Sequence, residues 1–533
     1  MKKKMSISVP PHIIHKFEQA LQCFSSGKAQ EAVNICQEVI KAVPKHADAY
    51  HLIGVILSNS GQFVNAMEFY NKSIEIYPAN HMAFCNRGNA YHQLKQPELA
   101  LEDLTKSIEL KPDYAEAYYN RGIIVGALHR TEEEIEMYDL ALKYKPNFPE
   151  AYNNKGIALQ KLHRMEETLA NYEAGIAQNP QHIEAFYNNR GLVLQNLMRI
   201  DEALADYNKA LEVKPDLEDC RFNRSMCLLL KGEYDTAWKE HEWRWNRAVY
   251  PRKQFSGKSW LGEEDLKNQV LFIYGEQGLG DMLQFSRYVN LAKERGAIVM
   301  LGLENPLVRI CTSLKGVDAI VTPNVPLPHF DYHIPIISLP LAFGTDSLDK
   351  IPNEPYLKPN PETVAHFAKR LGKKTKKRVG IVWSGGYRPD QPEVWAVNER
   401  RNIALEKLVP LQHPDIEFFS LQLGEPAVTE LANSKDWDNL INLTHELKDF
   451  EDTAGLIENL DLVIAVDTST AHLAGAMGKP VWLMNRFDTC WRWLMDRSDS
   501  PWYPSFTIYR QPKLGDWDSV IEAIRTDLHK DLK

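Results

Sequence analysis

The sequence predicts two architectures in one chain: an all-α superhelix of stacked helical pairs, followed by a pair of doubly wound α/β domains. Three observations predict it. Prolines recur every 34 residues through the N-terminal half. From Val270 that period gives way to short apolar runs alternating with helical stretches. Near the C-terminus, Leu460–Leu483 (LDLVIAVDTSTAHLAGAMGKPVWL) reads as strand, hydroxyl-lined helix start and strand, a βαβ unit.

At 533 residues the chain exceeds what one core serves, and three or so domains are expected. It is 44% hydrophobic and 25% charged with a formal net charge of −9, which gives no reason to expect nucleic acid as a partner. The opening MKKKMSISVPPH has basic residues but no apolar core of a signal peptide, and no run reaches the ~18 apolar residues of a membrane helix. A cytoplasmic location without a membrane span is therefore the expectation. The seven cysteines (Cys23, Cys36, Cys85, Cys220, Cys227, Cys311, Cys490) form no CxxC pair and no His/Cys cluster at metal spacing. Reduced thiols and no bound metal are expected.

Taken in order, residues 12–247 form the repeat array, of six to seven units. Pro44, Pro78, Pro112, Pro146 and Pro180 fall 34 residues apart, and Pro215 follows after 35. Gly54, Gly88, Gly122 and Gly156 keep step, with Gly191 one residue late. Each unit reads as two amphipathic helices: the glycine lets them pack closely and the proline ends the second. This pattern resembles tetratricopeptide repeats, a resemblance that implies a right-handed superhelix whose first helices line the concave side and whose role is binding.

Two positions before the register glycine stand Asn86, Asn120, Asn154 and Asn189, and Asn223 precedes Ser225 likewise. Such a column can grip the backbone of an extended peptide without reading its sequence. A similar ladder occurs in the repeats fused to O-GlcNAc transferases, so the resemblance implies a peptide groove and a protein acceptor. Solvated asparagines at a common repeat position are the other reading.

The last unit turns aromatic at Trp238, Trp243 and Trp245, as expected of a terminal repeat sealing its core against a following domain. Residues 248–269 read as a linker. The first α/β domain is expected over 270–355: strand VLFIY (270–274), Gly-rich turn GEQGLGD (275–281), a helix over 282–295, strand IVMLGLE (298–304) and further units around VDAIVTP and DYHIPI. The Pro- and Lys-dense stretch 353–377 reads as a hinge. The second domain is expected over 378–530, with strands at 378–383, 416–422, 439–444, 462–466 and 481–484. Such a pair of domains binds ligands in the cleft facing the carboxyl ends of its strands.

In Leu460–Leu483 the strand stops at Asp467, and Thr468, Ser469 and Thr470 open the helix. A helix start supplies free N–H groups and a positive dipole end, suited to a phosphate. Ordinary capping would need one hydroxyl rather than three together with Asp467 and His472.

VDTSTAHLAGAMGKPVWL, the early GLGD followed by a helix and the closing WRWLMDRSDSPWYP resemble glycosyltransferase family 9, the heptosyltransferase-like group, over about residues 255–530. The chain is similar to bacterial forms in which such a domain follows tetratricopeptide repeats. The resemblance implies two Rossmann-like domains of GT-B type, with the acceptor on the N-terminal side and a nucleotide-sugar donor on the C-terminal side. It also implies inversion at the anomeric carbon, with no essential metal or other cofactor.

Glycosyl transfer needs a base for the acceptor hydroxyl and positive potential for the departing nucleoside diphosphate. Asp281, which matches the family's Gly-Asp motif, is the candidate base; an N-cap for the following helix is the alternative reading, and a helix N-terminus lowers a carboxyl pKa. Candidate donor-binding residues are Ser384 and Gly385 after the strand ending at Trp383, Arg400 and Arg401 in NERRNI, Gln422, Asp467, Thr468, Ser469, Thr470 and His472. Arginine suits bidentate phosphate contact. Gln422 reads as a base or ribose contact or as a strand cap, and His472 as a ligand to phosphate or sugar or as a structural residue. Asp452 and Thr453 read as helix caps. The Asp-Trp-Asp triplets at 436–438 and 516–518 fit exposed helix starts better than a metal site.

The sequence thus points to a glycosyltransferase whose repeats recruit a polypeptide acceptor. The alternative is a repeat scaffold whose transferase-like part is inactive and acts in protein–protein interaction. A nicotinamide-dependent oxidoreductase fits poorly, because the glycines of GEQGLG run GxxGxG and not GxGxxG. The donor nucleotide, the sugar, the acceptor and the oligomeric state are not encoded in any motif.

Overall fold

The computed structural model describes residues 9–247, 253–276, 278–323, 325–386, 395–434, 436–437 and 439–532. Parts of three readings, the linker residues 248–252, Gln277 of the Gly-rich turn and Asp438 of one triplet, lie outside the described residues. Two compact units divide the chain: residues 1–197 with 208–214, and residues 198–207 with 215–533.

The first unit is built of helical pairs, among them Ala47–Asn59 with Phe63–Ile76 and Ala115–Ala127 with Thr131–Tyr144. The register glycines lie against a residue sixteen positions on. A Cβ on Gly54 would stand 2.6 Å from the Tyr70 ring, and one on Gly122 2.6 Å from Tyr138. Tyr70, Tyr138 and Tyr172 are buried in the seams this creates. The turns inside successive pairs place Gly27, Gly61, Lys95, His129 and His163 at positive φ, a 34-residue column of left-handed residues in which only the first two are glycine.

The second unit begins its regular pairs with Glu218–Lys231 and Tyr234–His241, the first helix ending on left-handed Gly232. Of the three tryptophans expected to seal the repeats, Trp238 is buried within the second unit and meets Trp491 edge-on at 5.4 Å and Phe285 at 6.3 Å. Trp243 and Trp245 instead lie under the Arg221 and Arg244 guanidinium groups.

Among the described residues the second unit holds eleven strands, all in parallel pairings, in two sheets. The first sheet contains β1 (Lys258–Ser259), β2 (Val270–Tyr274), β3 (Ile298–Gly302), β4 (Ala319–Val321) and β5 (Tyr332–Pro335), in the order β1-β5-β2-β3-β4. The second contains β6 (Lys377–Val382), β7 (Ile416–Ser420), β8 (Ile441–Asn442), β9 (Leu462–Val466), β10 (Val481–Asn485) and β11 (Phe506–Arg510), in the order β11-β10-β9-β6-β7-β8. The continuous apolar runs are the buried strands: every residue of β9 is buried. In the second sheet the chain steps from β6 to β7 and β8 on one side, then crosses to β9, β10 and β11 on the other. The reversal places the topological switch point of the sheet at the carboxyl ends of β6 and β9, where ligands of such sheets bind.

Four expectations are corrected. Within the expected linker, β1 pairs with Tyr332 and His333 of β5, because Trp260 beside it is wholly buried and anchors the segment. The expected helix at 282–295 starts earlier and breaks into Leu279–Phe285, a 3₁₀ turn and Val289–Glu294, so Asp281 lies in the first turn and not at the cap. The expected hinge contains helix Pro361–Leu371, capped by Asn360; a Cβ on Gly455 of helix Phe450–Glu458 would stand 2.6 Å from Thr363. The cap of Phe450–Glu458 is Asp449, while Asp452 accepts from the Lys448 amide. Asp516 is an N-cap, as read.

Candidate functional site

The residues singled out lie in turns of the second unit after β2 (Asp281), β6 (Ser384, Gly385), β7 (Gln422) and β9 (Asp467–Thr470), with Arg400 and Arg401 at the end of helix Trp395–Arg401; the turn after β10 (Arg486–Cys490) joins them. The turns after β2 and β9 meet through a glycine: a Cβ on Gly280 would lie 3.1 Å from His472 Cδ2 and 3.6 Å from Ser469 Cα.

Asp281 is held on both oxygens. Oδ2 accepts from the Gly278 amide at 3.2 Å, and Arg492 Nη2 donates to Oδ1. Arg492 also donates from Nε to Gln284 Oε1 (2.6 Å) and from Nη1 to Cys490 Sγ (3.1 Å), with its guanidinium 4.4 Å from the Trp491 ring centroid. Burial pulls the arginine pKa down, but the charges of Asp281, Cys490 and Asp467 outweigh it and hold the guanidinium above its ordinary range.

Arg401 spans the β6 and β9 turns. Its Nη1 donates to the Asp467 carbonyl (2.8 Å) and its Nη2 to Asn398 Oδ1 (2.5 Å), with the guanidinium lying over Gly385. The Gly385 amide in turn donates to Asn402 Oδ1 (2.8 Å). Arg400 donates to Asp488 Oδ2 at 2.8 Å, an oxygen shared with Arg486 at 3.2 Å.

Thr468 is the N-cap of helix Ser469–Ala476 in backbone geometry, yet its side chain caps nothing: Oγ1 is buried without a partner among the described residues. Ser469 and Thr470 are half-buried in the first turn, whose N–H groups have no intrahelical acceptor. The Asp467 carboxylate lies 3.7 Å from His472 Nε2. Burial raises its pKa, but the neighbouring His472 imidazole and the charges of Arg401 and Arg492 win and hold it well below the usual carboxylate range.

Three side chains expected at the donor are buried. His472 is buried, 3.0 Å from the Tyr503 hydroxyl through Nδ1 and stacked on Trp493 at 5.4 Å, so it buttresses the two turns. Gln422 is 3% exposed; its Oε1 accepts from the Trp383 and Ser384 amides and its Nε2 donates to the Ser384 and Leu423 carbonyls. All of its polar atoms brace the loop after β6. Ser384 is also buried, its hydroxyl donating to the Gly385 carbonyl.

Sequence reasoning missed Arg492, Arg486, Asn398 and Asn402. Arg486 carried a signal, since it immediately follows an apolar strand. Arg492 sits between two tryptophans in a segment noted only for its resemblance.

The asparagine column lies on successive first helices, and its amides are used between repeats. Nδ2 of Asn86 lies 2.9 Å from His51 Nε2, that of Asn120 donates to Cys85 Sγ (3.2 Å), that of Asn154 to the Tyr119 hydroxyl (3.2 Å) and that of Asn189 to Asn153 Oδ1 (2.6 Å). Each bond joins a repeat to the one before it. Asn223 lies half-buried on helix Glu218–Lys231 of the second unit. Among the described residues no helix is long and apolar enough to cross a membrane.

Several known proteins are similar to parts of the chain. Protein FlbA of Caulobacter vibrioides is 27% identical over 343 residues, 59% of this chain and 55% of FlbA. The mitochondrial import receptor subunit TOM70 of Rattus norvegicus is 29% identical over 96 residues, 18% of this chain and 16% of TOM70. The chain thus spans about half of the first relative and a small part of the second. Among solved structures, pilF of Pseudomonas aeruginosa is 16% identical with a TM-score of 0.36, covering 39% of this chain and 95% of that one. YrrB, described as a TPR protein with an unusual peptide-binding site, is 21% identical with a TM-score of 0.29, covering 35% and 95%. Family models described as tetratricopeptide repeat match residues 47–80, 81–114 and 185–217, and the array is accordingly a tetratricopeptide-repeat scaffold suited to protein–protein interaction.

Proposed function

We propose that this chain is an inverting, metal-independent glycosyltransferase of GT-B type, moving a sugar from a nucleotide-sugar donor to an acceptor hydroxyl on a protein recruited by the repeats. The observation that carries the reading is convergence. A carboxylate from the turn after β2, Asp281, stands within ion-pair contact of a cationic, N–H-rich end of the second sheet that holds Arg492, Arg401 and the start of helix Ser469–Ala476. A base for the acceptor hydroxyl beside an anion-binding group is what glycosyl transfer requires.

In this reading Asp281 takes the proton of the acceptor hydroxyl as its oxygen forms a bond to the anomeric carbon. The bond from that carbon to the donor phosphate breaks on the opposite face, and the electron pair leaves with the nucleoside diphosphate. Arg401, the first-turn N–H groups and the Thr468 hydroxyl stabilise that charge. Gly385 lets a phosphate approach the backbone, while Gln422 and His472 hold the turns in place. The test is release of nucleoside diphosphate from UDP-, GDP-, ADP- and dTDP-sugars with protein acceptors. Asp281→Asn should abolish transfer; undiminished transfer would assign the base elsewhere.

A second reading, a repeat scaffold whose α/β part is inactive, is favoured by one observation: both Asp281 oxygens are already engaged. It predicts that no sugar is transferred to any acceptor, whether or not a nucleotide binds.

A further inference from the structure

The Asp281–Arg492 pair poses a chemical problem for the transferase reading, since a carboxylate that already accepts from a guanidinium on one oxygen and a backbone amide on the other is a weakened base for a substrate hydroxyl. Resting on that reading, we infer that Arg492 exchanges partners. Without donor it is paired with Asp281 and keeps the carboxylate occupied; with donor bound it turns to the diphosphate and leaves Asp281 open to the acceptor. The base is thus released only when the sugar to be transferred is in place.

The contacts of Arg492 suit an exchange. Its three polar groups meet unequal partners: the Gln284 amide oxygen at Nε, a thiol sulfur at Nη1 and the Asp281 carboxylate at Nη2. A thiol is a weak acceptor, so the carboxylate is the partner that anchors the outer end. Gln284 is wholly buried and fixes Nε, so the outer nitrogens can change partner while the inner one stays bonded.

The partners also belong to different sheets, Asp281 following β2 and Arg492 following β10. A diphosphate at the start of helix Ser469–Ala476 would sit on the Arg492 side, beside Arg401 and the unpartnered Thr468 hydroxyl. A phosphate oxygen carrying more charge than a carboxylate is the stronger acceptor for a guanidinium. Beside the pair, Gln284 Nε2 is buried with no partner among the described residues, a donor that an arriving phosphate oxygen satisfies.

The exchange makes a prediction opposite to that of a passive strut. If Asp281 competes with the diphosphate for Arg492, removing its charge must tighten diphosphate binding. Calorimetric affinities for inorganic pyrophosphate, UDP, GDP and ADP are compared in the full-length protein, Asp281→Asn, Arg492→Met and the double variant. Asn keeps an oxygen for the Gly278 amide but no charge. Asp281→Asn should bind its diphosphate roughly fivefold more tightly than wild type, the scale of a partly exposed ion pair. Arg492→Met should bind more weakly, and the double variant should match Arg492→Met, with the gain abolished. If wild type binds a diphosphate and Asp281→Asn binds it equally or less well, the exchange is overturned while the donor site stands. If neither binds any of the four, the donor-site reading falls and the exchange with it. Should Arg492→Met fail to fold, the comparison of wild type with Asp281→Asn decides alone.

Discussion

Gly385 lies directly beneath the Arg401 guanidinium, so closely that a Cβ at this position would overlap it, with Nε 2.7 Å away. Arg401 in turn reaches the Asp467 carbonyl, so one missing side chain keeps the turns after β6 and β9 together. The obstructing atoms are the far end of a side chain, which can move. Gly385→Ala should therefore displace Arg401 at a stability cost of about 1 kcal/mol or less, yet weaken nucleoside diphosphate binding about tenfold, the scale of one charge-assisted contact. Melting temperature and affinity measured on the same preparation check it; unchanged affinity would remove Arg401 from the site.

The left-handed column in the repeats gives a second test. His129 has φ of 60° and His163 of 56°, where Gly61 occupies the equivalent turn at 76°. A Cβ costs roughly 1 kcal/mol in this region, partly offset by the greater freedom of glycine in the unfolded chain. His129→Gly should be neutral to stabilising by up to about 1 kcal/mol in urea unfolding. Glycine at an exposed mid-helix position such as Ala523 of helix Trp517–Asp531 should destabilise by about 1 kcal/mol.

The fold was legible where periodicity was strong. The 34-residue march of proline and glycine marks the helical pairs, and unbroken apolar runs mark β2, β6, β9 and β10. The misses have physical causes. β1 is two residues long and owes its place to Trp260, and β11 (FTIYR) mixes polar and apolar residues. In helix Pro361–Leu371 the apolar Val364, Phe367 and Leu371 have helical spacing, but surrounding lysines and prolines dominated the reading. At the candidate site, strand ends located the turns but not the orientation of side chains within them. Gln422 and His472 follow strands as ligand residues do, and both turn inward. Arg492 became visible only when the chain brought it to Asp281, 211 residues away in sequence.

Asp467 predicts a pH dependence. Its folded-state pKa is held below the ordinary 3.8, so its contribution to stability is present in full above that value and is lost as pH falls below it. The melting temperature of Asp467→Asn should lie below that of wild type at about pH 5.5. The gap should narrow below about pH 4. A margin independent of pH down to pH 3 would mean that the charge contributes nothing.

The thiols divide by burial. Burial pushes Cys36, Cys85, Cys220, Cys227 and Cys311 up to about 12, whereas Cys23 and Cys490 are half-buried. Of the seven cysteines, a disulfide reagent at pH 8 should label Cys23 and Cys490 in the native protein and the others only on unfolding. Nucleoside diphosphate should slow labelling at Cys490, whose sulfur touches Arg492. Equal rates with and without nucleotide would separate Cys490 from the ligand.

The central claim is that the carboxyl ends of β6, β9 and β10 hold a nucleoside diphosphate. It is tested most directly by thermal unfolding of the protein and its Thr468→Ala/Ser469→Ala/Thr470→Ala variant with millimolar UDP, GDP, ADP, CDP or NAD. A ligand near 100 times its dissociation constant stabilises by roughly 2.7 kcal/mol, a shift of a few degrees in a chain of this size. The account predicts such a shift with one nucleoside diphosphate and its loss in the variant. Silence with all four diphosphates, or a shift the variant retains in full, would contradict it.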